Sequence, residues 1–435
     1  MALRVAPGRW PLLGHTVALV RRPVRFTAGL REHGDVVQLS LGPLQTYFLT
    51  NPEIIHRVLV TNGSSFGTGI MFRKFRPYAG NGLALSDEPF HRRQRKLMLP
   101  AFGRQHLRRY AEIWVRATTA LVESWRPGEV RQLDADMHAL AMTNVGETLF
   151  GTELGEEAIR EARRSIPLII RLGMYRVLSP GFAEKLPFNR RFDQATTRMK
   201  AVVHELLAGR DADTDHGDLL STLLLARDAE TGERMTREQV HDEVMTLLTA
   251  GTETTALILA WSCHELGRDP GMAERVRAEV DQVLGGRPVT FDDLPALVYT
   301  GQVVSEVLRK YALWILMRRT EQEVDLGPVR LRPGDEVMFS PLALHTDPRY
   351  WDHPDVFDPD RWSTERVRSL PPGVFIPFGS GSRQCIGHLF ARAEVVIGLA
   401  TIFARWRLEP VGPVRVRYTT MAYPRGMPMT VRPRK

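Results

Sequence analysis

The sequence predicts a mainly α chain with small β-sheets attached, an α+β arrangement rather than alternating βαβ units. Three observations predict it. Residues from about 90 to 310 carry helical periodicity and helix breakers. Short β-rich runs between turn signals are confined to the first ~60 residues and to about 315–340. No repeat or low-complexity linker divides the 435 residues. We therefore expect one domain over 1–435, β-rich over about 1–60 and helical over about 61–435, large enough to enclose a cavity.

Taken in order, Val36 to Leu41 and Thr46 to Thr50 straddle Gly42-Pro43 and read as a hairpin. The polar run Asp211 to Asp218 reads as an exposed loop. Thr236-Arg237-Glu238-Gln239 fits a capping box, and the helix it opens runs to Arg268, where Asp269-Pro270 stops it. Such a helix is ~48 Å long at 1.5 Å per residue and can cross the whole molecule. Its middle, Ala250 to Thr255, collects helix-weakening residues; a mid-helix glycine alone costs ~1 kcal/mol against alanine. Close helix packing explains this run, and so does a ligand needing space and a polar break. Strands resume at about 315–340, with a turn at Arg332-Pro333-Gly334-Asp335. The segment Pro341 to Pro377 is rich in Pro and Asp, and a last helix starts near Gly387.

Composition narrows the function. Two cysteines, Cys263 and Cys385, exclude a disulfide framework and any cysteine-rich zinc or iron–sulfur site. No signal peptide or run of ~18 uninterrupted apolar residues is present, which predicts a cytoplasmic protein without a membrane anchor. Lys plus Arg is 58 against 50 acidic residues, a net charge of +8, and only six of the basic residues are lysine. The charges are scattered, which argues against a nucleic-acid site. One cluster, Arg92, Arg93, Arg95 and Lys96, reads either as a solvated helix face or as a dock for an acidic partner.

The most informative segment is Phe378-Gly379-Ser380-Gly381-Ser382-Arg383-Gln384-Cys385-Ile386-Gly387. Its glycines keep the backbone open to a flat ligand. Cys385 sits near a helix N-terminus, where backbone N–H groups and the helix dipole favour a thiolate.

This segment resembles the heme-binding loop of the cytochromes P450, Phe-x-x-Gly-x-Arg-x-Cys-x-Gly, at every fixed position. Three further motifs agree in order: Ala250 to Thr255 with the oxygen-activation stretch, Glu306-Val307-Leu308-Arg309 with Glu-x-x-Arg, and Phe357 to Trp362 with the aromatic–Pro–Arg segment. The resemblance runs from Pro11-Leu12-Leu13-Gly14-His15 over nearly the whole chain and implies the P450 fold, one heme-enclosing domain around the long helix. It also implies heme b held by the Cys385 thiolate, which pushes electron density through iron and favours O–O cleavage. Phe378, Ile386, Gly387 and Gly251 would surround the heme, and His91, Arg95, Arg318 and Arg383 would hold its propionates. Glu306, Arg309 and Arg361 would form a buried structural network. Thr254 would hold water or oxygen, and Glu253 would relay protons from solvent. A Thr254 hydroxyl bonded to its own helix is compatible with that role.

By the same resemblance the substrate pocket draws on Phe72, Phe75, Leu83, Leu85, Leu247, Leu248, Ala250, Trp314, Ile315, Leu316 and Met421, an apolar set suited to a hydrophobic substrate. The sequence departs from many relatives at Lys310-Tyr311-Ala312-Leu313, where a Pro-Pro pair is missing, and this alters the strand that follows. Pro11 to Thr16 and Trp314 to Arg319 are most similar to bacterial members that oxidise terpenes. The implied activity is a monooxygenase of secondary metabolism using O2 and electrons ultimately from NAD(P)H. Those electrons would come from a separate ferredoxin and ferredoxin reductase, because no length remains for a reductase domain. The protein would be a monomer. Oxidative coupling, desaturation or rearrangement is the alternative chemistry, and a heme-thiolate sensor or carrier the non-enzymatic one.

Overall fold

The computed structural model describes residues 3–151, 155–178 and 187–434. The predicted helical region holds ten helices of seven residues or more among those described, beginning with Phe90–Met98 and Arg104–Glu123 and ending with Val298–Lys310 and, beyond the strands, His388–Arg405. The central helix spans Arg237–Arg268, the bounds read from the sequence. Its capping box forms: Thr236 Oγ1 accepts from Gln239 N, and Gln239 Oε1 accepts from Thr236 N.

This helix is apolar enough by composition to cross a bilayer, yet 67% of that stretch is buried in the protein. It packs along helix Leu133–Phe150 and against His388–Arg405. A Cβ at Gly251 would come within 3.0 Å of Val145 Cγ2, and one at Gly398 within 2.8 Å of Leu259 Cδ2. Close helix packing is thus one reason for the mid-helix glycine.

The hairpin forms with its second strand starting two residues early, at Leu44, because Gly42 (φ +60°) closes a two-residue loop with Pro43. The first sixty residues also carry helices at Thr16–Arg21, Pro23–Gly29 and Pro52–His56, so that part is less β-rich than predicted. The hairpin lies in a mixed six-stranded sheet ordered Arg4–Val5, Val36–Leu41, Leu44–Leu49, Glu336–Phe339, Leu316–Thr320, Phe66–Thr68. Leu44–Leu49 pairs in parallel with Glu336–Phe339, almost 300 residues later. In the run 211–218, Asp218 departs from the expected exposure. It is buried and caps helix Leu219–Leu225 by accepting from Ser221 N at 2.7 Å.

A buried ionic network joins the helical body to the irregular segment before the last helix. Arg309 donates to both Glu306 oxygens, at 2.9 and 2.7 Å. The same carboxylate accepts from Asp358 N at 3.0 Å, Trp362 Nε1 at 3.0 Å and Arg361 Nε at 3.3 Å. Glu306 and Arg309 are wholly buried. Removing one partner leaves the others charged in a low dielectric, so Glu306→Ala is expected to cost about 3–5 kcal/mol. Denaturant unfolding of the soluble fraction measures it, and a near-wild-type midpoint would refute the role.

A pH-sensitive group lies in the last helix. Glu394 is buried in helix His388–Arg405, accepts from Asn144 Nδ2 at 2.8 Å, and is raised by burial from the usual 4.5 to about 8. A raised acid favours the protonated folded state, so its contribution falls as pH rises from about 4.5 through 8. Glu243, Glu253 and Glu336 shift in the same direction. Glu394→Gln is expected to flatten the decline of thermal stability across that range, which melting curves at stepped pH would show.

Candidate heme and oxygen site

The helical body encloses a cavity of about 370 Å³, measured to the centres of water-sized spheres. One wall is the loop before the last helix. Gly379 (φ +69°) and Gly381 (φ +71°) take left-handed conformations, and a Cβ on Gly381 would fall 1.9 Å from the Leu59 carbonyl oxygen. That glycine therefore serves backbone packing rather than ligand approach. Cys385 N donates to Phe378 O at 2.9 Å, which folds the loop back on itself. Phe378, Cys385, Ile386 and Gly387, which the resemblance sets around the heme, all line the cavity.

Cys385 is exposed and is one of the residues that line the cavity. Burial pushes its thiol pKa up, opposed by the Gly387 N–H and by Arg95. The helix end and Arg95 do not by themselves make the thiolate expected from the sequence. Desolvation outweighs them, and a cation bound at sulfur would reverse the balance.

Four cationic or donor groups reach the same cavity: His91, Arg95, Arg318 and Arg383. Arg95 donates to Gln384 O at 2.7 Å and Arg383 to Ser86 O at 2.8 Å. His91 Nδ1 lies 3.1 Å from Glu88 Oε1, and burial, then Arg383, holds its pKa down. Arg318 is buried beside Arg383, which with burial lowers its pKa to about 10. It donates to its neighbour Met317 O and lies 5.7 Å from the Phe72 ring. Arg383 Nη2 is buried without a hydrogen-bond partner. Among the described residues no carboxylate lines the cavity. Buried guanidinium groups with an unmet donor fit the carboxylates of an anionic planar ligand. These four residues and Cys385 would hold heme through its propionates and its iron.

The opposite wall is the central helix, presenting Leu247, Ala250, Gly251, Thr254, Thr255 and Ile258 at helical spacing. Thr254 Oγ1 donates to Ala250 O at 2.6 Å, turning its methyl and hydroxyl along the cavity wall. Glu253, one position round the helix, does not line the cavity and is only 4% exposed. Burial raises its pKa to about 7.

Of the predicted pocket residues, Phe72, Leu83, Leu247, Ala250, Leu316 and Met421 line the cavity. Five do not. Leu248 is ~100° round the helix from Leu247 and packs in the core. Ile315 alternates with the inward-facing Leu316 and joins the N-terminal core. Trp314 is buried with its indole donating to Thr419 O. Leu85 is buried elsewhere in the core, and Phe75 packs on Phe192, with ring centroids 6.5 Å apart. Sequence reasoning missed Val145, Thr148 and Leu149, which belong to a helix without a motif, and Ala312 at the missing prolines. The basic cluster is partly paired, and its Arg92 and Lys96 side chains stay 67% and 65% exposed. Arg93 meets Asp228 at 3.5 Å and Glu233 at 3.1 Å, and Lys96 meets Glu230 at 3.2 Å.

A helical body, a cavity floored by a lone cysteine and a rim of three arginines and a histidine fit a heme-thiolate oxygenase fold. The family profile for Cytochrome P450 matches residues 5–427, and the chain belongs to that family. It is 41% identical over 420 residues to cyclooctatin synthase of Streptomyces melanosporofaciens, covering 95% of this chain and 91% of the relative. It is 43% identical over 412 residues to cyclooctat-9-en-7-ol 5-monooxygenase of the same organism (93% and 89% covered). Pentalenene oxygenase of Streptomyces avermitilis is 37% identical over 428 residues (97% and 95% covered). The crystal structure of cytochrome P450DA heme domain superposes with TM-score 0.88 at 26% identity, over 100% of this chain and 98% of that one. The protein is a cytochrome P450 monooxygenase, a heme-thiolate enzyme that uses O2.

Replacing Arg318 by Leu removes a buried cation from the rim. Purified Arg318→Leu is expected to carry several-fold less heme per chain, read by pyridine hemochrome absorbance, with the fold kept by circular dichroism. Full heme content would remove Arg318 from the set.

Proposed function

We propose that this enzyme inserts one oxygen atom into a cyclic terpene-type hydrocarbon in secondary metabolism. It works as a cytoplasmic monomer, with electrons drawn from NAD(P)H through a separate ferredoxin and ferredoxin reductase. The observation that carries the substrate class is the segregation of the cavity wall. Arg95, Arg318 and Arg383 cluster with His91 near Cys385, while Leu83, Leu247, Ala250, Leu313 and Met421 give an apolar surface elsewhere. A hydrocarbon skeleton is stabilised by leaving water for such a wall, and shape then selects its orientation. The similarity to an enzyme named for pentalenene and another named for cyclooctat-9-en-7-ol supports the same class.

Heme-thiolate iron, when bound, supplies oxygen binding and O–O cleavage. The chain's own residues do four things. Arg95, Arg318, Arg383 and His91 orient the ligand plane by its anionic edge. Cys385 provides the sulfur, and the Gly387 N–H that bonds it moderates its electron donation. The apolar wall keeps bulk water from the reacting carbon. Thr254 and Glu253 supply protons, Thr254 from the cavity wall and Glu253 from behind it.

Three measurements test this reading. Titrating the holoenzyme with pentalenene or cyclooctat-9-en-7-ol is expected to blue-shift the Soret band as the water ligand leaves. Silence across a panel of cyclic terpenes would overturn the substrate class. Thr254→Ala is expected to raise peroxide released per NADPH several-fold at unchanged substrate affinity, whereas unchanged coupling would remove Thr254 from proton delivery. Reaction under ¹⁸O₂ separates oxygen insertion from desaturation or coupling.

A further inference from the structure

Glu253 was expected to relay protons from solvent, and with 5% of its side chain exposed it has little direct contact with water. Its Oε2 is buried with no hydrogen bond, and its side chain turns away from the cavity that Thr254 faces. A carboxyl so placed must be reloaded through another side chain, because stranding it ionised in low dielectric is costly. His138 stands in reach: its Nδ1 lies 3.6 Å from Glu253 Oε2. On its other side, His138 Nε2 lies 3.2 Å from the Tyr423 hydroxyl, with the two rings 5.7 Å apart. Three elements meet there: helix Leu133–Phe150, the central helix, and strand Ala422–Pro424 near the C-terminus. The His138 side chain keeps 18% exposure against 5% for Glu253, so water reaches the imidazole more readily than the carboxyl.

Building on the reading that Glu253 and Thr254 supply protons, we propose that His138 is the proton-transfer residue that reloads Glu253 from solvent, with Tyr423 as the positioning residue that sets its tautomer. The Tyr423 hydroxyl donates to Nε2, which leaves the proton on Nδ1 aimed at Glu253. After Glu253 has released its proton inward, its carboxylate takes the Nδ1 proton. Nε2 gains one from water, directly or through the Tyr423 hydroxyl, and exchange with water, in which Nδ1 takes a proton and Nε2 releases one, restores the starting tautomer. One proton enters from water for each that leaves the carboxyl, and nothing is oxidised or reduced.

The other charged groups that act on His138 are Asp134, one turn earlier on its own helix, and Arg163 on the neighbouring helix Glu156–Leu178. They oppose each other, and burial dominates: it pushes the imidazole down to about 4. At neutral pH His138 is therefore uncharged, with one N–H and one lone pair, the form a relay requires. Tyr423 stays a phenol, because burial and the nearby Glu253 and Asp134 raise its pKa.

The test uses holoenzyme of the wild type, His138→Phe, His138→Gln and Tyr423→Phe, each first checked for full heme content. Time-resolved infrared spectroscopy follows the C=O band of protonated Glu253, identified by its loss in Glu253→Gln, as the protein is transferred to D2O. His138→Phe is expected to slow exchange of that carboxyl by about ten-fold or more, since positioned proton transfer is typically worth at least that. Tyr423→Phe is expected to fall between. His138→Gln restores a hydrogen-bonding group but cannot pass a proton, so exchange is expected to stay slow; recovery of the wild-type rate would show a packing role and overturn the proposal. Wild-type exchange in His138→Phe overturns it as well, whatever Thr254→Ala does. Slow exchange together with unchanged coupling in Thr254→Ala supports the relay and removes Thr254 from proton delivery.

Discussion

Much of this site hangs on the carboxylate of Glu306. It is wholly buried and accepts from two arginines, an indole and a backbone amide. The connection continues past it. Arg309 donates to the His345 carbonyl at 2.9 Å, and His345 Nε2 accepts from Ile376 N at 2.9 Å. Ile376 O in turn accepts from Gly379 N, the first turn of the cysteine loop. One carboxylate thus links helix Val298–Lys310 to the loop that aims Cys385, through polar groups left no alternative partner by burial. A buried network of this kind need not add stability over an apolar core, but it permits few arrangements. Holding a sulfur at a fixed height requires that.

Charge is layered around the cavity. Cations line it on the cysteine side, and among the described residues carboxylates stand one shell back. Glu253 and Glu394 sit behind the central and last helices, both raised toward neutrality by burial. The layering separates two demands. An anionic ligand edge needs permanent positive charge in contact with it. Proton supply needs acids whose pKa lies near the working pH, which water-exposed carboxylates do not have. The fold meets both by keeping carboxylates off the cavity wall, with Asp87 meeting Arg383 at 3.8 Å from behind it.

The central helix supports this separation by geometry alone. Thr254 and Glu253 are adjacent in sequence and ~100° apart around the axis, so one faces the cavity and the other faces helix Leu133–Phe150. Gly251 brings that second helix to Val145 contact distance and so sets how near His138 can come.

The amino-acid sequence by itself determined the elements whose signals are local. The capping box and Asp269-Pro270 bounded the central helix to the residue, and the spacing of Phe378, Gly381, Arg383, Cys385 and Gly387 defined the ligand loop. His91, Arg95, Arg318 and Arg383 were also legible, because their positions relative to motifs carry the chemistry. What only the tertiary structure decided depends on rotation and on distant partners. Leu247 lines the cavity and Leu248 does not, Leu316 does and Ile315 does not, because helix and strand periods fix direction only once a neighbour fixes the face. Glu336–Phe339 joins a hairpin almost 300 residues away. The charges of Arg93 and Lys96 are met by a loop 130 residues on. His138 stands beside Glu253 because two helices pack closely, a juxtaposition that carries no mark in the chain.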